Sequence, residues 1–390
     1  MPARSGARLV ALALPPGDEL AGAIETAWAA GDAVLPLDPA LPADARRRIE
    51  DSLRPDAPVD GDVALVVATS GSTGVAKGVQ LASSALAASA RATIDRLGLT
   101  AGDVFLSCLP WHHIAGLQVW LRARMLGAEL VVQPRFDPAC FPAATVTSLV
   151  PTQLRRLLDA GVDLGGYRAI LLGGAAAPPG LVERARAAGA NVVTTYGMTE
   201  TCGGCVYDGR PLDGVEVRVD GDERIWLRGP MLMSGYRLRP DLTADVLVDG
   251  WLRTEDRGRM QPDGTLQVLG RLDEVIVSGG ENVDPSTVAS ALATHPSVVD
   301  VVVVGVPDDE WGQAVAAVVV LADGTDLTVA EAREWCADRL PVAALPRLVV
   351  PVDAMPLLAS GKPDREAIRR SAYIAAGSAR SRQSPPPSDR

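Results

Sequence analysis

Thr69-Ser70-Gly71-Ser72-Thr73-Gly74-Val75-Ala76-Lys77-Gly78 follows directly on the apolar run Val63-Ala64-Leu65-Val66-Val67-Ala68. A short, unbroken apolar run bounded by turn residues predicts a buried strand. The loop it feeds has four hydroxyl side chains and three glycines. Glycine lets successive backbone N–H groups turn to one side and form a nest for an anion. The hydroxyls add donors, and Lys77 adds charge. The stretch is not a Walker A loop, which requires G-x-x-x-x-G-K-[ST], because Gly71 is followed five residues later by Ala76. The chain carries 37 lysines and arginines, and Lys77 and Lys362 are its only lysines. A solvated surface tolerates arginine in place of lysine, but a site that needs a slim, rotatable ammonium does not accept a planar fork. Lys362 lies in Ser360-Gly361-Lys362-Pro363-Asp364-Arg365, a second Gly-flanked segment.

Outward from the loop, a helix is predicted from Ser83, as its N-cap, to Gly98 beyond its C-terminus. Strand–helix alternation continues. Ala169–Leu172 runs into Gly173-Gly174, and Asn191–Thr195 runs into Tyr196-Gly197. Such alternation predicts an α/β core with sites at the C-terminal ends of strands. After Gly270 the pattern changes. Asp284-Pro285 predicts a capped helix start, and Thr328-Val329-Ala330-Glu331 predicts a capping box. Val298–Val304, Ala314–Leu321 and Arg347–Val352 read as strands. The expectation is an α/β chain with a large N-terminal domain of mixed sheets and helices (1–270), whose residues 1–60 form a peripheral cap. A small α+β domain (271–375) and a disordered tail (376–390) follow.

A net charge of −11 with 22% charged residues argues against nucleic acid and against an anionic membrane surface as partners. No apolar run approaches the ~18 residues of a membrane span, and the first residues make a poor secretory leader. The five cysteines are odd in number and scattered, which argues against a disulfide framework. Cys202-Gly203-Gly204-Cys205 is formally C-x-x-C, but no second ligand pair stands at zinc-site spacing. A cytoplasmic location is the expectation, with a homodimer among the open assembly states.

Thr-Ser-Gly-Ser-Thr-Gly-x-x-Lys-Gly resembles the signature of the adenylate-forming superfamily: acyl- and aryl-CoA synthetases, peptide-synthetase adenylation domains and luciferases. Later segments resemble its other motifs in order. These are Tyr196-Gly197-Met198-Thr199-Glu200, Thr254-Glu255-Asp256-Arg257-Gly258, Gly270-Arg271-Leu272-Asp273-Glu274 and Gly361-Lys362. The resemblance covers about residues 60–370. It implies ATP and CoA as cosubstrates with Mg²⁺. Thr69, Ser70, Gly71, Ser72, Thr73, Gly74 and Lys77 would hold the β- and γ-phosphates, and Thr199 the α-phosphate. Glu200 would hold Mg²⁺. Tyr196 would stack on adenine, with Gly173, Gly174, Ala175 and Gly197 lining the nucleotide. Asp256 would accept from the ribose hydroxyls, Arg271 would add a second ribose or phosphate contact, and Lys362 would bridge the reacting carboxylate and phosphate. Asp273 would be the hinge about which the small domain turns to bring Ser278, Gly279 and Gly280 to CoA. Glu255, where the family has glycine, adds a carboxylate beside Asp256.

Pro110-Trp111-His112-His113-Ile114-Ala115-Gly116 resembles the family's acyl-pocket segment. It implies His113 at the pocket wall and a small-molecule carboxylic acid as substrate. The short N-terminus gives little material for a fatty-acyl tunnel. An aromatic content of 4% speaks against an aromatic-lined slot. The polar stretches 147–154 and 199–209 suit an acid with a second polar group. The short chain, the Pro110–Gly116 segment and Gly203-Gly204-Cys205-Val206-Tyr207-Asp208-Gly209 after the Tyr-Gly-x-Thr-Glu motif together resemble the short actinobacterial type of the o-succinylbenzoate–CoA ligase family of menaquinone synthesis. That resemblance implies Ser148, Thr152, Gly197 and Met198 as wall residues. A ligase for another aryl or short dicarboxylic acid and a non-catalytic AMP-binding module are the alternatives. Ser148, Thr152, His113 and Arg122 are the candidates to meet the second carboxylate.

Overall fold

The computed structural model describes residues 6–59, 61–70, 76–178, 180–358 and 363–383, with the backbone alone at 70 and 378–383. The fold is α/β. The chain divides into a larger unit (Met1–Ala177, Leu181–Thr254, Met260–Gln267) and a smaller one (Pro178–Gly180, Glu255–Arg259, Val268–Arg390).

In the larger unit one five-stranded sheet runs in the order Leu9–Leu12, Ala33–Pro36, Val63–Ser70, Ala76–Ala82, Gly235–Tyr236. Its middle strand feeds two cores. Leu65 and Val67 pack with Leu20, Ile24 and Leu81, while Val63 and Val66 pack with Leu9, Leu35 and Leu53. Burial on both faces explains why the strand reads as a continuous apolar run without alternation. Leu9, Leu35 and Leu53 belong to the segment expected to be a peripheral cap. That segment instead supplies two parallel strands and a whole core face. The strands are four residues each, too short to stand out in an Ala-, Pro- and Asp-rich stretch.

A seven-stranded sheet has the order Arg210–Pro211, Gly203–Tyr207, Val192–Met198, Ala169–Leu172, Val146–Leu149, Val104–Ser107, Glu129–Val132. The five strands from Val192–Met198 onward are parallel. Parallel neighbours require crossovers, and helices Ile114–Leu126, Pro151–Asp159 and Leu181–Ala187 lie in them. Helix Ser83–Leu97 ends as expected on Gly98, in the left-handed region at φ 59°. Ser83, however, is its first residue and not its N-cap. Ala82 takes that place without a side-chain bond, and the Ser83 N–H donates to Asp62 O. A third sheet contains Glu216–Val219, Arg224–Arg228, Trp251–Met260 and Leu247–Val248, and Leu266–Arg271 pairs with Trp251–Met260.

The smaller unit has its own sheet, in the order Glu281–Val283, Ile276–Ser278, Gly312–Leu321, Val298–Asp308, with Leu348–Pro351 paired in parallel to Gly312–Leu321. Both predicted caps form. Asp284 Oδ1 accepts from the Ser286 N–H at 2.8 Å, and Thr328 and Glu331 make a reciprocal capping box. Helix Arg365–Gln383 runs through residue 376, where a disordered tail was expected to begin. Its alanines and arginines are good helix formers, so a composition read as tail carries a helix. Residues 384–390 lie outside the described residues. Among the described residues no helix is long and apolar enough to cross a membrane.

Candidate active site

The strands on either side of the signature loop pair with each other. Val63–Ser70 and Ala76–Ala82 pair antiparallel, with Thr69 opposite Lys77 and Ser70 opposite Ala76. The Thr69 Oγ1 donates to Lys77 O at 3.3 Å. Gly71, Ser72, Thr73 and Gly74 lie outside the described residues, as do the Ser70 side chain and Lys362. Gly78 has a packing role. A Cβ there would come within 2.7 Å of Leu53 Cδ2 and 3.0 Å of Val66 Cγ1, so glycine lets the N-terminal segment close over the hairpin.

Tyr196, Gly197 and Met198 complete the strand Val192–Met198 and do not follow it as a loop. Their antiparallel partners are Val206, Gly204 and Gly203. A Cβ on Gly197 would sit 2.1 Å from Gly203 O, so only glycine permits this pairing. One 3-10 turn, Thr199–Thr201, comes next. The buried Thr201 hydroxyl accepts from the Met198 N–H at 2.9 Å and lies 2.7 Å from Gly203 O. That bracing fixes where Thr199 and Glu200 leave the strand. On the neighbouring parallel strand, Gly173 follows Leu172. A Cβ on Gly173 would lie 2.2 Å from Thr195 Oγ1. Gly173, Gly174 and Ala175 therefore turn away beside the strand that bears Tyr196. Two adjacent C-terminal strand ends are where open α/β sheets bind ligands.

Glu200 is held by a residue the sequence did not single out. The Tyr236 hydroxyl donates to Glu200 Oε1 at 2.8 Å, and the Met233 N–H donates to Glu200 O at 2.8 Å. The Tyr236 ring centroid lies 5.6 Å from Lys77 Nζ. The available signal was Ser234-Gly235-Tyr236-Arg237, a glycine before an aromatic in a two-residue strand. No group of three or more His, Cys, Asp and Glu that could hold a metal occurs among the described residues. A single carboxylate fits magnesium, which takes phosphate oxygens and keeps waters. It does not fit a metal caged by protein alone. Bound there, the ion would be held by Glu200 and would neutralise phosphate charge.

His113 is the N-cap of helix Ile114–Leu126, and its carbonyl accepts from the Gly116 and Leu117 N–H groups. Its ring centroid is 4.5 Å from that of His112. Burial lowers the His112 pKa, against the pull of Asp38. Gly116 allows the helix to start on the 109–110 backbone, since a Cβ there would be 2.3 Å from Pro110 O. Further along the same helix Arg122 is 4% exposed, and its Nε has no hydrogen-bond partner. Burial depresses its pKa, opposed by Tyr207. Ser148 is buried in the strand Val146–Leu149, beside the strand that leads to His113. Thr152 is half-buried in the first turn of helix Pro151–Asp159. Cys202 and Cys205 are buried free thiols. Burial pushes both pKa values up, that of Cys205 to about 12, which keeps the thiols protonated and unreactive.

In the smaller unit, Arg271 pairs with Asp273 (Nε–Oδ1 2.8 Å) and with Asp256 (NH1–Oδ1 3.4 Å). Glu255 and Asp256 are consecutive in an extended strand, so their side chains leave opposite faces. The Glu255 carboxylate therefore does not share a face with Asp256. Ser278 is fully buried, and its Oγ has no partner. Gly279 takes a left-handed φ of 61° against Trp311, where a Cβ would lie 2.7 Å from the indole. Around Gly280 there is open space.

A lysine beside a Gly/Ser/Thr-rich loop, a Thr-Glu pair at a strand end and a second α+β unit fit a nucleotide-dependent acid-activating enzyme. The chain belongs to the AMP-binding enzyme family: the family pattern matches residues 50–237, and that of the AMP-binding enzyme C-terminal domain matches residues 287–362. It is 44% identical over 354 residues to a probable 2-succinylbenzoate–CoA ligase of Mycobacterium tuberculosis, covering 85% of this chain and 91% of that protein. It is 35% identical over 339 residues to an indoleacetate–CoA ligase of Aromatoleum aromaticum, covering 78% and 66%. Among solved structures it is similar to the o-succinylbenzoate CoA synthetase of Bacillus subtilis in complex with the acyl-adenylate intermediate OSB-AMP. That match has a TM-score of 0.83 and 28% identity, and covers 93% and 88%.

Proposed function

We propose that the chain is an AMP-forming 2-succinylbenzoate–CoA ligase, the activity that the resemblance places in menaquinone biosynthesis. In the first half-reaction a carboxylate oxygen of the acid attacks the α-phosphorus of ATP, and pyrophosphate leaves. In the second, the CoA thiol attacks the acyl-adenylate carbonyl, giving the thioester and AMP. Two anions meet in the first step, so the catalytic need is for donors and cations aimed at developing charge. Lys77 and the signature loop meet the β- and γ-phosphates, and Thr199 meets the α-phosphate. Glu200 holds the magnesium that accompanies ATP. Asp256 accepts from the ribose hydroxyls, and Lys362 bridges acid and phosphate. Ser278, Gly279 and Gly280 admit the pantetheine arm of CoA.

Arg122 carries the choice of acid. A guanidinium buried without a paired carboxylate costs several kcal/mol, and a substrate with a second carboxylate supplies the missing anion. 2-Succinylbenzoate has that group. Indoleacetate, the acid named for one relative, does not. Incubation of the full chain with Mg-ATP, CoA and 2-succinylbenzoate, followed by mass spectrometry, tests the reading. The expected products are 2-succinylbenzoyl-CoA and AMP. ADP as the nucleotide product, or no thioester, would contradict it.

A further inference from the structure

We infer that Tyr236 is a positioning residue that keeps Lys77 and Glu200 apart and ready for ligand: its hydroxyl holds one oxygen of Glu200, and its ring seats the Lys77 ammonium. The inference rests on the assignment of Glu200 to magnesium and deepens it. Lys77 and Glu200 carry opposite charges toward the same ligand, and a direct ion pair between them would compete with magnesium for the acid and with phosphate for the amine. No such pair occurs among the described residues. Instead the carboxylate accepts from the phenol at 2.8 Å, and the ammonium lies 5.6 Å from the ring centroid. A single phenol proton occupies one carboxylate oxygen and leaves the other for a metal.

The tyrosine is well placed to hold this position. Tyr236 lies opposite Val79, two residues along the strand from Lys77. Its N–H donates to Thr243 Oγ1 at 2.8 Å. On either side of it, the Ser234 N–H donates to Gln80 O at 2.9 Å and the Arg237 N–H to Gly78 O at 2.8 Å. The buried Arg237 guanidinium then donates to the carbonyls of Leu53, Arg54, Ala57 and Pro58 at 2.5–3.2 Å. Gly235 has φ 148°, and a Cβ there would meet Thr243 Cγ2 at 2.8 Å.

Calorimetric titration of ATP into the full chain, with EDTA or with excess Mg²⁺, gives the metal-linked gain in affinity. Tyr236→Phe keeps the ring and removes the hydroxyl. We expect ATP affinity in EDTA within about twofold of wild type and a metal-linked gain reduced about tenfold, at the low end for a hydrogen bond to a charged group. Tyr236→Leu should also weaken binding in EDTA about threefold, through loss of the cation–π contact. Glu200→Gln should abolish the metal-linked gain, and adding Tyr236→Phe to it should change nothing further. A normal gain in Tyr236→Phe, with the gain lost in Glu200→Gln, would overturn the role of the tyrosine alone. A normal gain in Glu200→Gln would overturn the metal assignment beneath it. Thermal unfolding of each variant reports whether it folds.

Discussion

Arg122 is a charge placed where burial costs most, with its Nε unpartnered. Its two roles separate by sign. If it serves the substrate, Arg122→Met removes an uncompensated buried cation, and the fold should be as stable as wild type or more so. The KM for 2-succinylbenzoate should rise roughly 10- to 100-fold, the range for a lost charge-assisted hydrogen bond, with kcat changed far less. A lower melting temperature with an unchanged KM would make Arg122 structural. At this scale the sequence exposed the residues that sit in compact motifs, Lys77 and Glu200 among them. It did not expose Tyr236, whose partner lies 36 residues away in the turn Thr199–Thr201, a contact that no local pattern reports. Arg237 was hidden for the same reason, since its acceptors lie about 180 residues earlier.

Two glycines show how the elements of the site differ in tolerance. A Cβ on Gly197 would meet the backbone oxygen of Gly203, while a Cβ on Gly78 would meet the far end of the Leu53 side chain first. Backbone cannot yield as a leucine methyl can, so Gly197→Ala should cost about 3 kcal/mol or more and Gly78→Ala about 1 kcal/mol, within the usual range for overpacking. Urea titration would measure both, and equal costs would contradict this account of the strand pairing. Arg237→Met would leave a group of carbonyls at residues 53–58 without their donor. A loss of about 2 kcal/mol is expected from leaving one buried and three half-buried acceptors unpaired, with less protection from hydrogen exchange in residues 53–59. The helices and strands around the site were legible because caps and apolar runs are local, but two of their ends were not: the helix expected to be capped by Ser83 begins on it, and the strand expected to end at Thr195 runs on to Met198. The strands Leu9–Leu12 and Ala33–Pro36 were not legible, because four residues each are too few to show a pattern in an Ala-, Pro- and Asp-rich stretch.

Across the whole molecule, the change of texture after Gly270 announced a second α+β body, and its caps at Asp284 and Thr328 formed as the residues imply. The helix through Gln383 was missed because Ala, Ser and Arg suit both a helix and a solvated tail. The two bodies give the clearest prediction about the reaction. Lys362 lies in the smaller unit's stretch of sequence, and in the proposed scheme it serves only the first half-reaction. Lys362→Ala should slow pyrophosphate exchange about 10²- to 10³-fold, the scale for one lost transition-state contact. Thioester formation from synthetic acyl-adenylate should stay within a few-fold of wild type, and equal losses in both steps would assign the lysine to neither alone. The central claim is the acid itself. The measurement that tests it most directly is pyrophosphate release with Mg-ATP and 2-succinylbenzoate, benzoate, succinate, indoleacetate or a medium-chain fatty acid, each with and without CoA. CoA-dependent turnover confined to 2-succinylbenzoate is the predicted result. Faster turnover of benzoate or indoleacetate, which lack the second carboxylate, would contradict it.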